Sequence, residues 1–142
     1  MSLTEAQKRH LSATLRTVES WLADADEIIH RPYQGIALRI APELDAEQRT
    51  AFLAEIEAVR SRIAHVATTF GVPCTEQSEV QALRALLSTI WQALEESRPV
   101  RMRGYGRIDD TIAPVLEAEI SALIAEVERL RSILGPRGSS PR

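Results

Sequence analysis

The spacing of apolar residues constrains this chain more than any other feature. Leu11, Leu15, Val18, Leu22, Ala25 and Ile29 follow one another in alternating steps of four and three. A residue at about every 3.5 positions returns to the same side of an α-helix, so the run makes one continuous apolar seam. Thr4 stands where an N-cap is needed, and Gln7 completes a capping box with it. The spacing predicts a first helix from about Glu5 to Ile29, ended by Pro32.

Three more seams follow. Phe52, Ile56, Val59, Ile63, Val66 and Phe70 predict a second helix over Ala46–Phe70. Asp45 and Gln48 form its capping box, Gly71 supplies the left-handed C′ position, and Pro73 blocks continuation. Val80, Leu83, Leu87, Ile90 and Leu94 predict a third helix over Glu76–Ser97. Thr75 is its cap, Glu76 and Glu79 sit in the first turn, and Pro99 ends it. Ile112, Leu116, Ile120, Leu123, Val127, Leu130 and Leu134 predict a fourth over Thr111–Leu134, capped by Asp109 or Asp110. Pro114 falls in its first turn, where proline is tolerated, and Gly135-Pro136 stops it.

Four helices of similar length, each with one seam, imply an all-α fold, an antiparallel four-helix bundle over residues 1–134. The short turn between helices two and three makes those two neighbours. Arg31–Leu44 is longer and carries Ile36, Leu38 and Ile40 in alternation, which reads as an extended strap over one bundle end. Residues 135–142 read as a disordered tail.

Composition narrows the function classes. The chain has 142 residues, 44% hydrophobic and 26% charged, enough for an ordinary globular core. A net charge of −3 argues against broad nucleic-acid or anionic-membrane binding, and 4% aromatics against a base-stacking platform. Cys74 is the single cysteine, which excludes an intramolecular disulfide and leaves a cysteine zinc site without ligands. Without a signal-like N-terminus or a long apolar run, the expected location is the cytoplasm. Arginine almost wholly replaces lysine and alanine is abundant, as GC-rich bacterial codons would produce.

Candidate chemistry is sparse. Di-metal bundles place Glu-x-x-His on two helices with the ligands pointing inward. Glu27-Ile-Ile-His30 has that spacing once, and every seam position is apolar, so neither metal nor cofactor is expected. Arg60-Ser-Arg-Ile-Ala-His65 resembles the Arg-x(4–6)-His pattern of helical HEPN-type ribonucleases. The resemblance covers two residues and implies His65 as general acid or base with Arg60 holding a phosphate. Residues five apart on a helix point about 140° away from each other.

The most unusual stretch is Arg98-Pro-Val-Arg-Met-Arg-Gly-Tyr-Gly-Arg107. Arg98, Arg101, Arg103 and Arg107 occur there with no acid between them, and Tyr105 stands between two glycines. Such a loop suits a phosphate-bearing ligand or an RNA backbone. It equally suits ion pairing with Glu95, Glu96, Asp109 and Asp110 on either side. Cys74 reads as an ordinary loop thiol. Trp21 and Trp91 each lie one residue from a seam position, at the edge of the apolar stripe, and Leu53, Leu86, Ile124 and Ile133 widen those stripes. Surplus apolar surface with tryptophan at its rim fits a subunit interface. The expectation is a non-enzymatic bundle acting through protein contact, as a homodimer or adaptor. An anion-binding module and a HEPN-like ribonuclease are the alternatives.

Overall fold

The computed structural model describes residues 2–136, and among these the chain is all-helical. In chain order the helices are α1 (Glu5–His30), α2 (Ala46–Phe70), α3 (Glu79–Glu95), the one-turn α4 (Pro99–Met102), a 3₁₀ turn (Arg103–Tyr105) and α5 (Ala113–Ile133). The chain divides into two compact units, Met1–Thr75 and Glu76–Arg142. Residues 137–142, most of the tail expected to be disordered, lie outside the described residues.

The first unit is an antiparallel hairpin of α1 and α2. Both capping boxes form: Gln7 N donates to Thr4 Oγ1 and Gln48 N to Asp45 Oδ1, while each glutamine side chain accepts from its cap's backbone N–H. Gly71 closes α2 at φ 65°, which a glycine adopts without steric cost. The core of the hairpin is Ile29, Ile56 and Ile63. Arg49, in the first turn of α2, locks the closed end by donating to the carbonyls of Ile29 at 3.0 Å and Leu44 at 3.2 Å. The Ile29 carbonyl belongs to the last turn of α1, where acceptors have no partner within the helix and a cation is favoured.

The segment joining α1 to α2 is no simple strap. Gln34 and Arg39 form an isolated antiparallel bridge, and Gly35 N donates to Leu38 O at 2.8 Å across a tight turn. A Cβ on Gly35 would lie 2.9 Å from that same oxygen, so the turn requires glycine there. Ile36 and Leu38 are exposed rather than folded over an end of the helices, because the turn carries them outward at its tip.

The second unit is an antiparallel hairpin of α3 and α5, with α4 and the 3₁₀ turn in their connection. Its core is Leu87, Ile120 and Val127. α3 begins at Glu79, later than the spacing predicts, because Ser78 and not Thr75 caps it through Gln81 N. α5 begins at Ala113 without a side-chain cap. Asp109 is spent one step earlier, accepting from Thr111 N at 2.8 Å and Thr111 Oγ1 at 2.7 Å. Those bonds favour the carboxylate and hold Asp109 below its ordinary pKa. Arg84 of α3 mirrors Arg49: it donates to Gly135 O at 2.7 Å and Pro136 O at 3.2 Å, just past the end of α5.

Candidate interaction surface

The seams of α2, α3 and α5 are buried on one side and displayed on the other, while the seam residues of α1 are all buried or half-buried. Successive helix residues advance by about 100°. On α2, Ile56 and Ile63 are buried and Leu53 and Arg60 half-buried to one side of Ile63, whereas Phe52, Val59 and Phe70 stand about 20–40° to its other side and are exposed. On α1, Trp21 and Ile28 lie about 80–100° round from Ile29, displaced in the same rotational sense. Because the two helices run antiparallel, displacement of the same hand places both lines on one side of the hairpin. Trp21, Ile28, Phe52, Val59 and Phe70 therefore share one side of the hairpin, where the exposed Glu55 and Arg62 stand at the α2 crest.

The second unit repeats this. Leu83, Ile90 and Leu86 are exposed about 40–100° round α3 from Leu87, and Leu123 and Leu130 about 40–60° round α5 from Val127. The sense is again common to both helices, so these residues form one apolar face. The first-unit face runs into a groove at the open end of its hairpin. Leu3, Ala6, Gln7, His10, Leu11, Val66 and Phe70 line about 560 Å³ there, and the lining is mostly apolar.

The two tryptophans separate. Trp21 is 67% exposed on the α1–α2 face. Trp91 is 38% exposed and lies about 40° from Leu87 on the opposite side from Leu83, at the margin of the α3–α5 packing.

The arginine-rich segment also divides. Arg98 is committed to structure: Nε and Nη2 donate to Glu95, and Nη1 donates to Glu117 and, at 3.0 Å, to Ser121 Oγ. These contacts raise the Arg98 pKa, the bond to Glu95 most, and pull the Glu95 carboxyl below its ordinary value. Arg101, Arg103 and Arg107 are exposed, and Tyr105 is 93% exposed. Arg101 is near enough to lower Glu95 further. The glycines beside Tyr105 have open space around them.

The remaining candidates do not converge. Arg60 pairs with Glu57 on its own helix and with Asp26 of α1 at 3.3 Å, and the Glu57 bond is the main reason its pKa rises. His65 is exposed on another side of α2. His30 Nδ1 lies 2.6 Å from Asp26 Oδ1, so Asp26 stands between His30 and Arg60. Among the described residues no group of three or more His, Cys, Asp or Glu is placed to hold a metal ion. Cys74 is exposed. No helix of the described residues is long and apolar enough to cross a membrane.

The seams are visible in the sequence but Arg49 and Arg84 are not, since their partners lie on other helices or beyond helix ends, and Arg60, expected beside His65, is instead held by Glu57 and Asp26. Compared with protein-family models, curated proteins and solved structures, the chain matches none of them.

Proposed function

We propose that this chain is a helical protein that works through helix-to-helix contact with other protein, self-association included, and that its apolar faces are closed in a four-helix packing. The observation that carries this reading is the exposure of about half of the seam residues of α2, α3 and α5. In the first unit Phe52, Val59 and Phe70 stand partly exposed beside a core of three isoleucines. In the second, Leu83, Ile90, Leu123 and Leu130 do the same. Contiguous exposed apolar surface of this kind marks interaction sites, and a two-helix hairpin covers only one side of each amphipathic helix. Light scattering tests the reading. The full chain gives a mass above that of one chain at tens of micromolar, and Phe52→Glu, on the first-unit face, lowers it. A wild-type chain that stays monomeric contradicts self-association.

A second reading is favoured by Arg103, Tyr105 and Arg107, which are exposed while Arg98 alone is held by acids. In this reading the segment meets an anionic group through its guanidinium planes. Retention of the full chain on a heparin column, lost in Arg103→Ser/Arg107→Ser, supports it. Equal retention of the two proteins removes it.

A further inference from the structure

We infer that the α1–α2 face is an isologous interface, joined to the same face of a second copy of this chain with Trp21 beside the two-fold axis. This rests on the self-association reading and adds which surface is used, which partner covers it and where the symmetry axis runs.

Area selects this face over the other. Helices of 25 and 26 residues are about 37 Å long, and a pair packed side by side is roughly 18 Å wide. Two such faces bury on the order of 1,300 Å² in total, within the range of stable, specific interfaces. The α3–α5 face is limited by the 17 residues of α3, about 25 Å, and yields on the order of 900 Å², below that range.

Side-chain chemistry points the same way. The α1–α2 face carries Trp21, Phe52 and Phe70, and aromatic residues are the type most enriched at interface centres. Trp21 and Val59 both lie near the midpoints of their helices, so a two-fold through the centre of the face passes close to them. An isologous contact then brings the middle of α1 in one copy near the middle of α1 in the other.

The test uses the single native cysteine to advantage. In a full-length Cys74→Ser background, Thr14→Cys places an exposed thiol on this face, about 60° round α1 from Ile29 in the sense of Trp21, and Leu86→Cys places one on the α3–α5 face. A bis-maleimide linker of about 10 Å is applied to each, and the mass of each variant is measured beforehand. The expected result is a dimer in both, with covalent dimer from Thr14→Cys and only background from Leu86→Cys. Trp21→Glu should weaken dimerisation by at least about thirtyfold while the far-UV spectrum stays helical. A dimer that cross-links through Leu86→Cys, or through neither position, overturns this assignment and leaves self-association standing. A wild-type monomer overturns both.

Discussion

Arg98 and Glu95 are joined by two parallel hydrogen bonds, Nε to Oε2 at 2.8 Å and Nη2 to Oε1 at 3.1 Å. With Nη1 also on Glu117 and Ser121, one guanidinium ties the end of α3 to the start of α5. The Glu95 carboxyl is held below its ordinary value of 4.5, chiefly by the bond from Arg98. A lowered folded-state pKa contributes stability above the unfolded value, and that contribution is lost as pH falls through the folded value. The thermal midpoint of the wild type should therefore fall from about pH 4.5 downward more steeply than that of Glu95→Gln. Parallel melting curves of the two proteins check this, and equal slopes would contradict it. The effect is small, since surface pairs are screened.

Truncating the core should be far more costly. Ile63 and Leu87 are buried in different hairpins, at 7% and 8% exposure. Changing either to alanine should destabilise its hairpin by about 2–5 kcal/mol. Ile36→Ala, at the tip of the exposed turn, should change stability by less than about 0.5 kcal/mol. Urea unfolding followed by circular dichroism measures all three.

Arg49 and Arg84 place guanidinium groups on carbonyls at or beyond the C-terminal ends of α1 and α5. Replacing either with alanine should cost about 1 kcal/mol, the usual net worth of such bonds. The frayed ends should also show in hydrogen exchange, with faster exchange in the last turn of α1 for Arg49→Ala and of α5 for Arg84→Ala.

The two tryptophans should respond differently to charge. Trp91→Glu puts a carboxylate at the margin of the α3–α5 packing, so it should lower the melting temperature. Trp21→Glu puts one on an open face, so the helical fold should persist while the associated mass falls, with a melting temperature lowered only to that of the unassociated chain. Unfolding of the isolated Trp21→Glu chain would place that residue inside the fold.

Much of this architecture was legible in the residues. The bounds of α2 and both capping boxes follow from Thr4, Gln7, Asp45 and Gln48, because a cap is a local bond between residues three apart. The start of α3 was not, since Thr75 and Ser78 carry equivalent hydroxyls and tertiary context chooses between them. Asp109 was misread for a related reason: an aspartate that bonds Thr111 in a turn is unavailable to cap the helix after it. The seams gave the apolar stripe of each helix but not which half turns toward its neighbour. Leu53 is therefore half-buried while Phe52, one residue earlier and part of the seam, is exposed. The Arg98–Glu95 pair was foreseeable from its short spacing, whereas the bond from Arg98 to Glu117 depends on how α3 and α5 pair.

A further chain that covers exposed seam residues such as Phe52, Val59 and Phe70 would bind the folded state and not the unfolded one. Anything that binds the folded state alone raises the melting temperature with its own concentration. The most direct measurement is the thermal midpoint of the full chain from about 1 to 100 micromolar. The account predicts a midpoint that rises steadily with protein concentration, and less so in Phe52→Glu. A midpoint that is constant across that range, with wild type and Phe52→Glu alike, would contradict it.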